Sequence, residues 1–173
     1  MDPIIKTGAP APSFTLKDLE GKSHTLSDYH GKLAVIVFWS AECPWSSRAD
    51  HTLNQMRLEW GEDIAVLAIA SNANESLEEK TAAASARGVS LVLLDEKGRV
   101  ARLFGAMITP EVFLIDQEGI LRYQGAFDDA SFRQPEPTRN YLWEAVEAVL
   151  ADENPVPSEV PSYGCTIVLP PEA

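Results

Sequence analysis

Residues 33 to 44 carry the strongest structural signal in the chain: Leu33-Ala34-Val35-Ile36-Val37-Phe38-Trp39-Ser40-Ala41-Glu42-Cys43-Pro44. The first seven residues form a continuous apolar run, which is typical of a β-strand covered on both faces of a sheet. Pro44 favours the first turn of a helix, where its missing N–H costs no hydrogen bond. The stretch therefore predicts a buried strand that leads directly into a helix, with Cys43 at the junction.

The residues after Pro44 continue that helix. Apolar side chains recur at intervals of three or four, which places them on one stripe of the helix surface: Trp45, Ala49, Leu53, Met56 and Trp60. Polar residues, among them Arg48 and Asp50, fall on the other side. We therefore expect the stripe to face the sheet and the polar side to face solvent.

Strand and helix patterns then alternate along the chain. Apolar runs predict strands at residues 64–70 and 89–94, and the Ala-rich segment between them, stopped by Gly88, predicts a helix over residues 75–87. The acidic residues Glu75, Glu78 and Glu79 are expected to form a solvated face of that helix. A short helical turn follows at residues 100–104.

The next segment predicts a hairpin and a closing helix. Residues 111–116 and 120–124 have strand patterns, and so short a turn between them can join only antiparallel strands. A last helix is expected after Thr138, which would act as its cap. The element order predicts an α/β fold with a central mixed β-sheet flanked by helices on both faces.

Proline residues divide the chain into two parts. We expect residues 1–151 to form one domain, with a short N-terminal extension before the first long strand, and residues 152–173 to form an extended, Pro-rich C-terminal tail. This tail carries Cys165, the second of the two cysteines. Two cysteines are too few for a structural zinc site or a disulfide scaffold, but they suffice for one redox pair.

The composition excludes several classes of partner. The chain has 173 residues with 45% hydrophobic content and a net charge of −12. The charge argues against nucleic acid and anionic membrane surfaces as partners, because both require clustered Lys and Arg. No apolar run reaches the roughly 18 to 20 residues of a membrane helix. The N-terminus lacks the pattern of a secretory signal, which leaves the cytoplasm and the cell envelope open as locations.

The element order, with Cys43-Pro44 at the first strand-to-helix junction and Thr109-Pro110 before the hairpin, resembles the thioredoxin fold. Further motifs narrow the resemblance to the AhpC/TSA (redoxin), peroxiredoxin-like branch of the thioredoxin-like superfamily. These motifs are residues 8–14, 26–32 and 109–116, the pair Phe38-Trp39, and the tail segment Gly164-Cys165-Thr166-Ile167. The resemblance implies an oxidoreductase that acts through a thiol.

The sequence departs from the family patterns at the second sulfur. Thioredoxins carry Cys-x-x-Cys, but here the second position holds Ser46. Peroxiredoxins carry a proline and a hydroxyl residue before the peroxidatic cysteine, and here Ser40 fills the hydroxyl position whereas Ile36 takes the place of the proline. Cys43 therefore matches the first, attacking cysteine of thioredoxins. Ser46 is either a helix-start hydroxyl or a hydrogen-bond donor to the sulfur, and it cannot resolve a mixed disulfide.

The reactivity of Cys43 depends on its charge state, because the thiolate is the nucleophile. A helix N-terminus favours the anion, whereas the neighbouring Glu42 opposes it. The expected thiol is moderately activated, which suits disulfide exchange near neutral pH. The alternative is a buried structural thiol.

A second sulfur within the chain can come only from Cys165. A proline-rich segment from residue 152 to residue 165 reaches roughly 40 Å in extended form, far enough to cross the domain. Reach permits a disulfide between Cys43 and Cys165 without requiring one. The alternatives are that Cys165 resolves the oxidised Cys43 or that it is a thiol on a loose tail.

The resemblance also implies the other half of a site. Thioredoxin-like proteins hold a proline at the position of Pro110 in the cis form, facing the attacking cysteine. The residue before it, here Thr109, then pairs with an extended substrate segment. Trp45 would line this groove beside the sulfur, or belong to the core. Ser46 is also predicted to lie in the groove.

Two functions from different classes remain. The first is a thiol-dependent oxidoreductase that reduces a protein or small-molecule disulfide, or a peroxide. Cys43 would attack, Cys165 or an external thiol would resolve, and an external dithiol or glutathione would supply electrons. The second is a non-enzymatic binding module that holds a partner segment in the groove at Thr109-Pro110. Neither requires an organic cofactor, and without a ligand pattern around Asp128-Asp129 we expect no metal.

Overall fold

The structure is a computed structural model that describes residues 5–172. Residues 1–4 and residue 173 lie outside it. The first residues of the N-terminal stretch that bears on a secretory signal therefore lie outside the described residues. So do the first residues of the predicted domain and the last residue of the predicted tail. Within residues 5–172, no helix combines the length and the apolar character needed to cross a membrane.

The described residues form ten β-strands and four α-helices, together with two short 3-10 helices. The strands are β1 (Thr15–Asp18), β2 (Ser23–Thr25), β3 (Leu33–Trp39), β4 (Ile64–Ala70), β5 (Val92–Leu94), β6 (Ile108–Thr109), β7 (Glu111–Ile115), β8 (Leu121–Gly125), β9 (Glu159–Val160) and β10 (Cys165–Thr166). The helices are α1 (Pro44–Trp60), α2 (Leu77–Arg87), α3 (Arg99–Phe104) and α4 (Tyr141–Leu150).

Eight of these strands form a mixed sheet in the order β2-β1-β5-β4-β3-β7-β8-β9. The strand β3 lies near the centre, parallel to β4 and antiparallel to β7. Every residue of β3 is buried, which explains its uninterrupted apolar sequence. The hairpin of β7 and β8 is antiparallel as predicted. The remaining strands, β6 and β10, pair with each other beside the main sheet.

Alternate side chains of β3 enter two different cores. One core combines Ile36 and Phe38 with α3 through Phe104, whose ring centroid lies 6.0 Å from that of Phe38. The other combines alternate residues of β3 with α1 and α4, whose Trp60 and Trp143 stack with centroids 6.0 Å apart. The helices therefore cover both faces of the sheet, as the sequence predicts.

Two predicted helix starts are wrong. The helix α2 begins at Leu77 rather than at residue 75, because the Ser76 side chain accepts a hydrogen bond from the N–H of Glu79 and caps the helix there. The helix α4 is capped by Asn140, whose side chain accepts from the N–H of Trp143. Thr138, the predicted cap, instead donates its hydroxyl to the carboxylate of Asp129.

After α4 the chain crosses the molecule in two steps. In the first, β9 joins the sheet edge parallel to β8, so that Gly125 faces Val160. A Cβ at Gly125 would lie 1.8 Å from the Val160 carbonyl oxygen, so only glycine permits this approach. In the second step, β10 pairs antiparallel with β6, and Ile167 beyond it enters the core with Phe104. The tail is thus bound to the domain along both strands.

Candidate functional site

The position of Cys43 follows from the end of β3 and the start of α1. Cys43 is the N-cap residue of α1 and has extended backbone angles, φ −79° and ψ 121°. Pro44 occupies the first turn, as predicted, and the carbonyl of Cys43 accepts the N–H of Ser47 at 3.0 Å. The cysteine is therefore held at the amino end of a helix of 17 residues, where backbone N–H groups favour a negative charge.

The sulfur atoms of Cys43 and Cys165 form a disulfide bond, with 6.1 Å between the two Cα atoms. Cys43 is only 3% exposed, whereas Cys165 is half-buried. The length of the tail permits a disulfide between Cys43 and Cys165 without requiring one, and the structure contains that disulfide. The disulfide joins residues that are 122 positions apart in the sequence.

The peptide bond between Thr109 and Pro110 is cis and lies against this disulfide. The Sγ atom of Cys43 is 3.4 Å from the carbonyl oxygen of Thr109. In the β6–β10 ladder, Thr109 stands opposite Cys165. The edge that the resemblance assigns to an extended substrate is therefore paired with the protein's own tail.

The carboxylate of Glu111 holds β6 in place next to Pro110. Its Oε1 atom accepts the N–H groups of Met107 at 3.0 Å and of Ile108 at 3.3 Å. Burial raises the pKa of Glu111, and these two hydrogen bonds act in the opposite direction.

Glu75 anchors the loop that presents Cys43. Its carboxylate accepts the hydroxyl of Ser40 at 2.5 Å and the N–H of Ala41 at 2.9 Å. The Ser40 oxygen in turn accepts the N–H of Cys43 at 3.2 Å. The prediction of a solvated face for Glu75 is wrong: the residue is 6% exposed, because it lies before α2 and faces this loop.

Arg87 holds the same loop from its carbonyl side. Its guanidinium donates to the carbonyl oxygens of Ser40, at 2.9 Å, and of Ala41. It also pairs with Asp50 at 3.3 Å. Glu75 thus accepts the donors of the loop and Arg87 supplies donors to its carbonyls, so that the backbone before Cys43 is fixed by two charged side chains.

Asp50 is buried, contrary to its predicted place on the polar side of α1. The carboxylate is 4% exposed and accepts the indole N–H of Trp39 at 2.7 Å. Burial raises the pKa of Asp50, while the hydrogen bonds from Trp39 and Arg87 oppose that increase. These partners explain how a carboxylate is tolerated beneath the loop.

The tryptophan and serine that the sequence places in the groove take different positions. Trp45 is half-buried and meets Tyr163 of the tail edge-to-face, with ring centroids 5.1 Å apart. Ser46 is 1% exposed, and its hydroxyl oxygen accepts the N–H of Ser40 at 3.1 Å. Ser46 thus contributes to the loop, and Trp45 contacts the tail.

Other acidic residues near the site have separate partners. Glu42 is exposed, and its pKa is raised by a hydrogen bond and by charge repulsion from Glu79. Asp128 forms an ion pair with Arg48 at 2.8 Å, and Asp129 bonds the segment around Thr138. Within residues 5–172 no group of three or more His, Cys, Asp or Glu side chains is arranged to hold a metal ion.

Sequence reasoning missed Glu75, Arg87 and Asp50. Each lies outside the Cys43 loop in the sequence. In the helical pattern around it, each is typical of a charged residue at the surface. The only local signal was the position of Asp50, one residue away from the apolar stripe.

The family model of the AhpC/TSA family matches residues 7–124 of this chain. The chain belongs to the AhpC/TSA family. The match covers the sheet from β1 to β8 except Gly125, together with Cys43 and Thr109-Pro110, whereas α4, β9 and the tail with Cys165 follow it. Membership in this family confirms the thioredoxin-like, redoxin-type resemblance.

Three proteins similar to this AhpC/TSA family member illustrate the range of its relatives. The thiol-disulfide oxidoreductase ResA of Geobacillus thermodenitrificans is 30% identical over 117 residues, which are 66% of this chain and 66% of ResA. The crystal structure of a hypothetical protein from Sinorhizobium meliloti 1021 is 32% identical and has a TM-score of 0.85, covering 98% of each chain. The thioredoxin domain of a Bacteroides vulgatus thiol-disulfide oxidoreductase has 23% identity and a TM-score of 0.62 over 69% of this chain and 88% of that one.

The structural similarity confirms the thioredoxin fold. The relationship to ResA and the family match support thiol-dependent oxidoreduction as the class of chemistry. They do not favour a binding module without redox chemistry. The chain spans about two thirds of the length of ResA. The similarity to the Sinorhizobium protein covers 98% of this chain and therefore includes most of the tail.

Proposed function

We propose that this AhpC/TSA family protein is a thiol-disulfide oxidoreductase in which Cys43 and Cys165 are the redox pair. The observation that carries the proposal is the disulfide between a helix N-cap cysteine and a tail cysteine that stands opposite Thr109, the residue before cis-Pro110. The relationship to ResA, whose name states the same chemistry, supports it.

In the reduced protein, the Cys43 thiolate attacks one sulfur of a substrate disulfide. A bond forms between Cys43 and that sulfur, and the other half of the substrate leaves as a thiolate. The Cys165 thiolate then attacks the Sγ atom of Cys43, which closes the intramolecular disulfide and releases the second half of the substrate. The substrate gains two electrons, and an external dithiol or glutathione returns the pair to the thiol form.

Burial and hydrogen bonding assign different tasks to the two cysteines. Cys43 is fixed by the loop that Glu75 and Arg87 hold, and its helix position stabilises a thiolate both as a nucleophile and as a leaving group. Cys165 is half-buried and lies on the two-stranded ladder of β6 and β10, opposite Thr109. The protein or small-molecule substrate therefore reacts at Cys43, and Cys165 completes the cycle.

Membership in the AhpC/TSA family supports a hydroperoxide as a second candidate substrate. In that reaction the Cys43 thiolate attacks the peroxide oxygen, forms a sulfenic acid and releases an alcohol or water. Condensation with the Cys165 thiol then releases water and yields the same disulfide.

Single-cysteine variants test the proposal. Reduced wild-type protein, Cys43→Ser and Cys165→Ser are mixed with oxidised glutathione or with hydrogen peroxide, quenched with iodoacetamide and weighed intact. We expect wild type to close the disulfide and take up no label, and Cys165→Ser to stop as a glutathione adduct or sulfenic acid on Cys43. A Cys43 that reacts no faster than a free model thiol and never pairs with Cys165 would instead favour the binding module.

A further inference from the structure

The tail segment 163–168, called here the docked strand, is bound to the domain in the way an extended peptide would be. Its central residue Cys165 stands opposite Thr109, and Thr166 stands opposite Ile108. The N–H of Ile167 continues the pairing by donating to the carbonyl of Met107 at 2.8 Å. Backbone hydrogen bonds of this kind give affinity without sequence preference, so any preference comes from the side-chain positions.

The position before the docked cysteine has no room for a side chain. A Cβ at Gly164 would lie 2.0 Å from the carbonyl oxygen of Thr109 and 3.2 Å from the Cδ atom of Pro110. Both atoms belong to the cis-Pro loop, whose backbone is held by Glu111. The docked strand therefore needs glycine immediately before its cysteine.

Two further positions accept specific shapes. Tyr163 lies two residues before the cysteine, against Trp45, and its hydroxyl accepts the N–H of Phe132 at 2.9 Å. Ile167 lies two residues after it and is 6% exposed in the core that contains Phe104. Thr166 between them is exposed and imposes no requirement.

The far end of the docked strand is fixed by polar contacts to the backbone alone. The N–H of Val168 donates to the side-chain oxygen of Asn72 at 2.6 Å, and its carbonyl accepts the N–H of Ala73 at 2.7 Å. Asn72 also donates to Glu75 at 3.2 Å, which links this end of the groove to the loop of Cys43.

We infer that the docked strand is an internal copy of the substrate segment, and that the groove accepts an extended protein segment of the form aromatic-Gly-Cys-any-aliphatic. The inference rests on the proposed function, since the segment can occupy the groove only in place of the tail, and reduction removes the covalent bond that holds the tail there. Cys43 then attacks the segment's cysteine where it is already part of a disulfide. The new bond joins Cys43 to that cysteine, and the other half of the substrate disulfide leaves as a thiolate.

The test uses two hexapeptides on the full-length chain. One has the sequence Tyr-Gly-Cys-Thr-Ile-Val and the other has alanine in place of glycine, each with its cysteine activated as the mixed disulfide with 5-thio-2-nitrobenzoate. Attack by Cys43 releases the coloured thiolate, and intact mass identifies the peptide adduct. Cys165→Ser leaves Cys43 as the only thiol, and adding Gly164→Ala prevents the chain's own tail from occupying the groove. Thr166→Ala in the same Cys165→Ser background is the matched control, in which the tail can still compete with the peptide for the groove.

We expect the glycine peptide to react at least about tenfold faster than the alanine peptide on every one of these proteins. A tenfold difference corresponds to about 1.4 kcal/mol, and we expect the clash of the alanine Cβ with the Thr109 carbonyl oxygen to cost more than that. Reaction with the glycine peptide should also be faster in Gly164→Ala/Cys165→Ser than in the Thr166→Ala control. The rate ratio of the two peptides is measured within one protein, so an effect of a substitution on folding cancels.

The mixed disulfide of glutathione with 5-thio-2-nitrobenzoate distinguishes failure of this inference from failure of the proposed function. Equal rates for the two peptides, together with rapid reaction of the glutathione compound, would overturn the inference and leave the proposed function standing. Failure of Cys43 to react with any of the three compounds would overturn both.

Discussion

At the scale of single residues, the chemistry of Cys43 depends on groups that are distant in sequence. Glu75 lies 32 positions beyond Cys43 in the printed sequence, but its carboxylate accepts the Ser40 hydroxyl and the Ala41 N–H in the loop before the cysteine. Removal of this carboxylate would leave buried donors without partners, which is the costly outcome for a hydrogen-bonded network.

We therefore predict that Glu75→Ala lowers the free energy of unfolding by about 2 kcal/mol, since unpaired buried donors carry that cost. Urea unfolding of the oxidised protein measures the loss. The matched control is Glu78→Ala, three residues along and exposed, which should change stability by less than about 1 kcal/mol. A similar loss in both variants would mean that the buried network contributes nothing specific.

A second prediction concerns Glu42, the exposed carboxylate beside Cys43. Its pKa is raised by hydrogen bonding and repulsion from Glu79, and it precedes Cys43 directly in the sequence. Nearby negative charge raises the pKa of a thiol, so neutralising one charge should lower it. In the Cys165→Ser background, Glu42→Gln should therefore shift the pH dependence of Cys43 alkylation by iodoacetamide to lower pH.

The control for this shift is Glu59→Gln, an exposed charge near the opposite end of α1, which should leave the profile in place. An unchanged or upward shift in Glu42→Gln would show that Glu42 does not influence the sulfur. High salt should reduce the difference between Glu42→Gln and its parent, because the charges of Glu42 and Glu79 lie at the surface and are screened by salt.

At the scale of elements, the segment that leads into α4 is organised by one carboxylate. Asp129 accepts the N–H of Thr138 at 2.7 Å, the N–H of Arg139 at 3.2 Å and the hydroxyl of Thr138. The hydrogen bond from the Thr138 hydroxyl is the main reason that the pKa of Asp129 is lowered to about 2. The same contact explains why Asn140, rather than Thr138, caps the helix.

This lowered pKa predicts a pH dependence of stability. A carboxyl group with a folded-state pKa below its ordinary value of 3.8 stabilises the fold above that pH, and the contribution disappears as the pH falls toward about 2. Urea unfolding from about pH 6 to about pH 2 should therefore show a smaller acid loss in Asp129→Asn than in wild type. Glu136→Gln, an exposed charge in the same segment, should follow the wild-type curve. Identical acid losses in all three proteins would exclude Asp129 as the cause.

At the scale of the whole molecule, the disulfide ties the tail across the domain. It joins residues 122 positions apart, and the docked strand adds a ladder with β6 and a core contact through Ile167. A crosslink over such a long loop restricts the unfolded chain far more than the folded one.

We predict that reduction lowers the free energy of unfolding by up to about 5 kcal/mol, the nominal chain-entropy value for a loop of this length. Urea unfolding of the oxidised and reduced wild type measures the difference without any change of sequence. The double variant Cys43→Ser/Cys165→Ser should match the reduced protein. Equal stability of both redox forms would show that the disulfide does not stabilise the fold by restricting the unfolded chain.

The order of the elements was predictable from the sequence because it rests on local patterns. The apolar run of β3, the short turn between β7 and β8 and the proline after Cys43 each determine local structure through neighbours in the chain. The element order and the family motifs then gave the thioredoxin-like class. The errors fell where a distant partner competed with a local signal, as Asp129 did for Thr138.

What the sequence by itself determined was a buried strand, a helix with Cys43 at its amino end and a tail long enough to reach that cysteine. Tertiary structure decided that Cys165 bonds to Cys43, that the docked strand pairs with Thr109, and that Glu75 and Arg87 hold the loop between them. Local patterns report how a segment meets its own neighbours and solvent. The partner of a charged or sulfur-bearing side chain depends instead on which segments the folded chain brings together, and no spacing along the sequence encodes that.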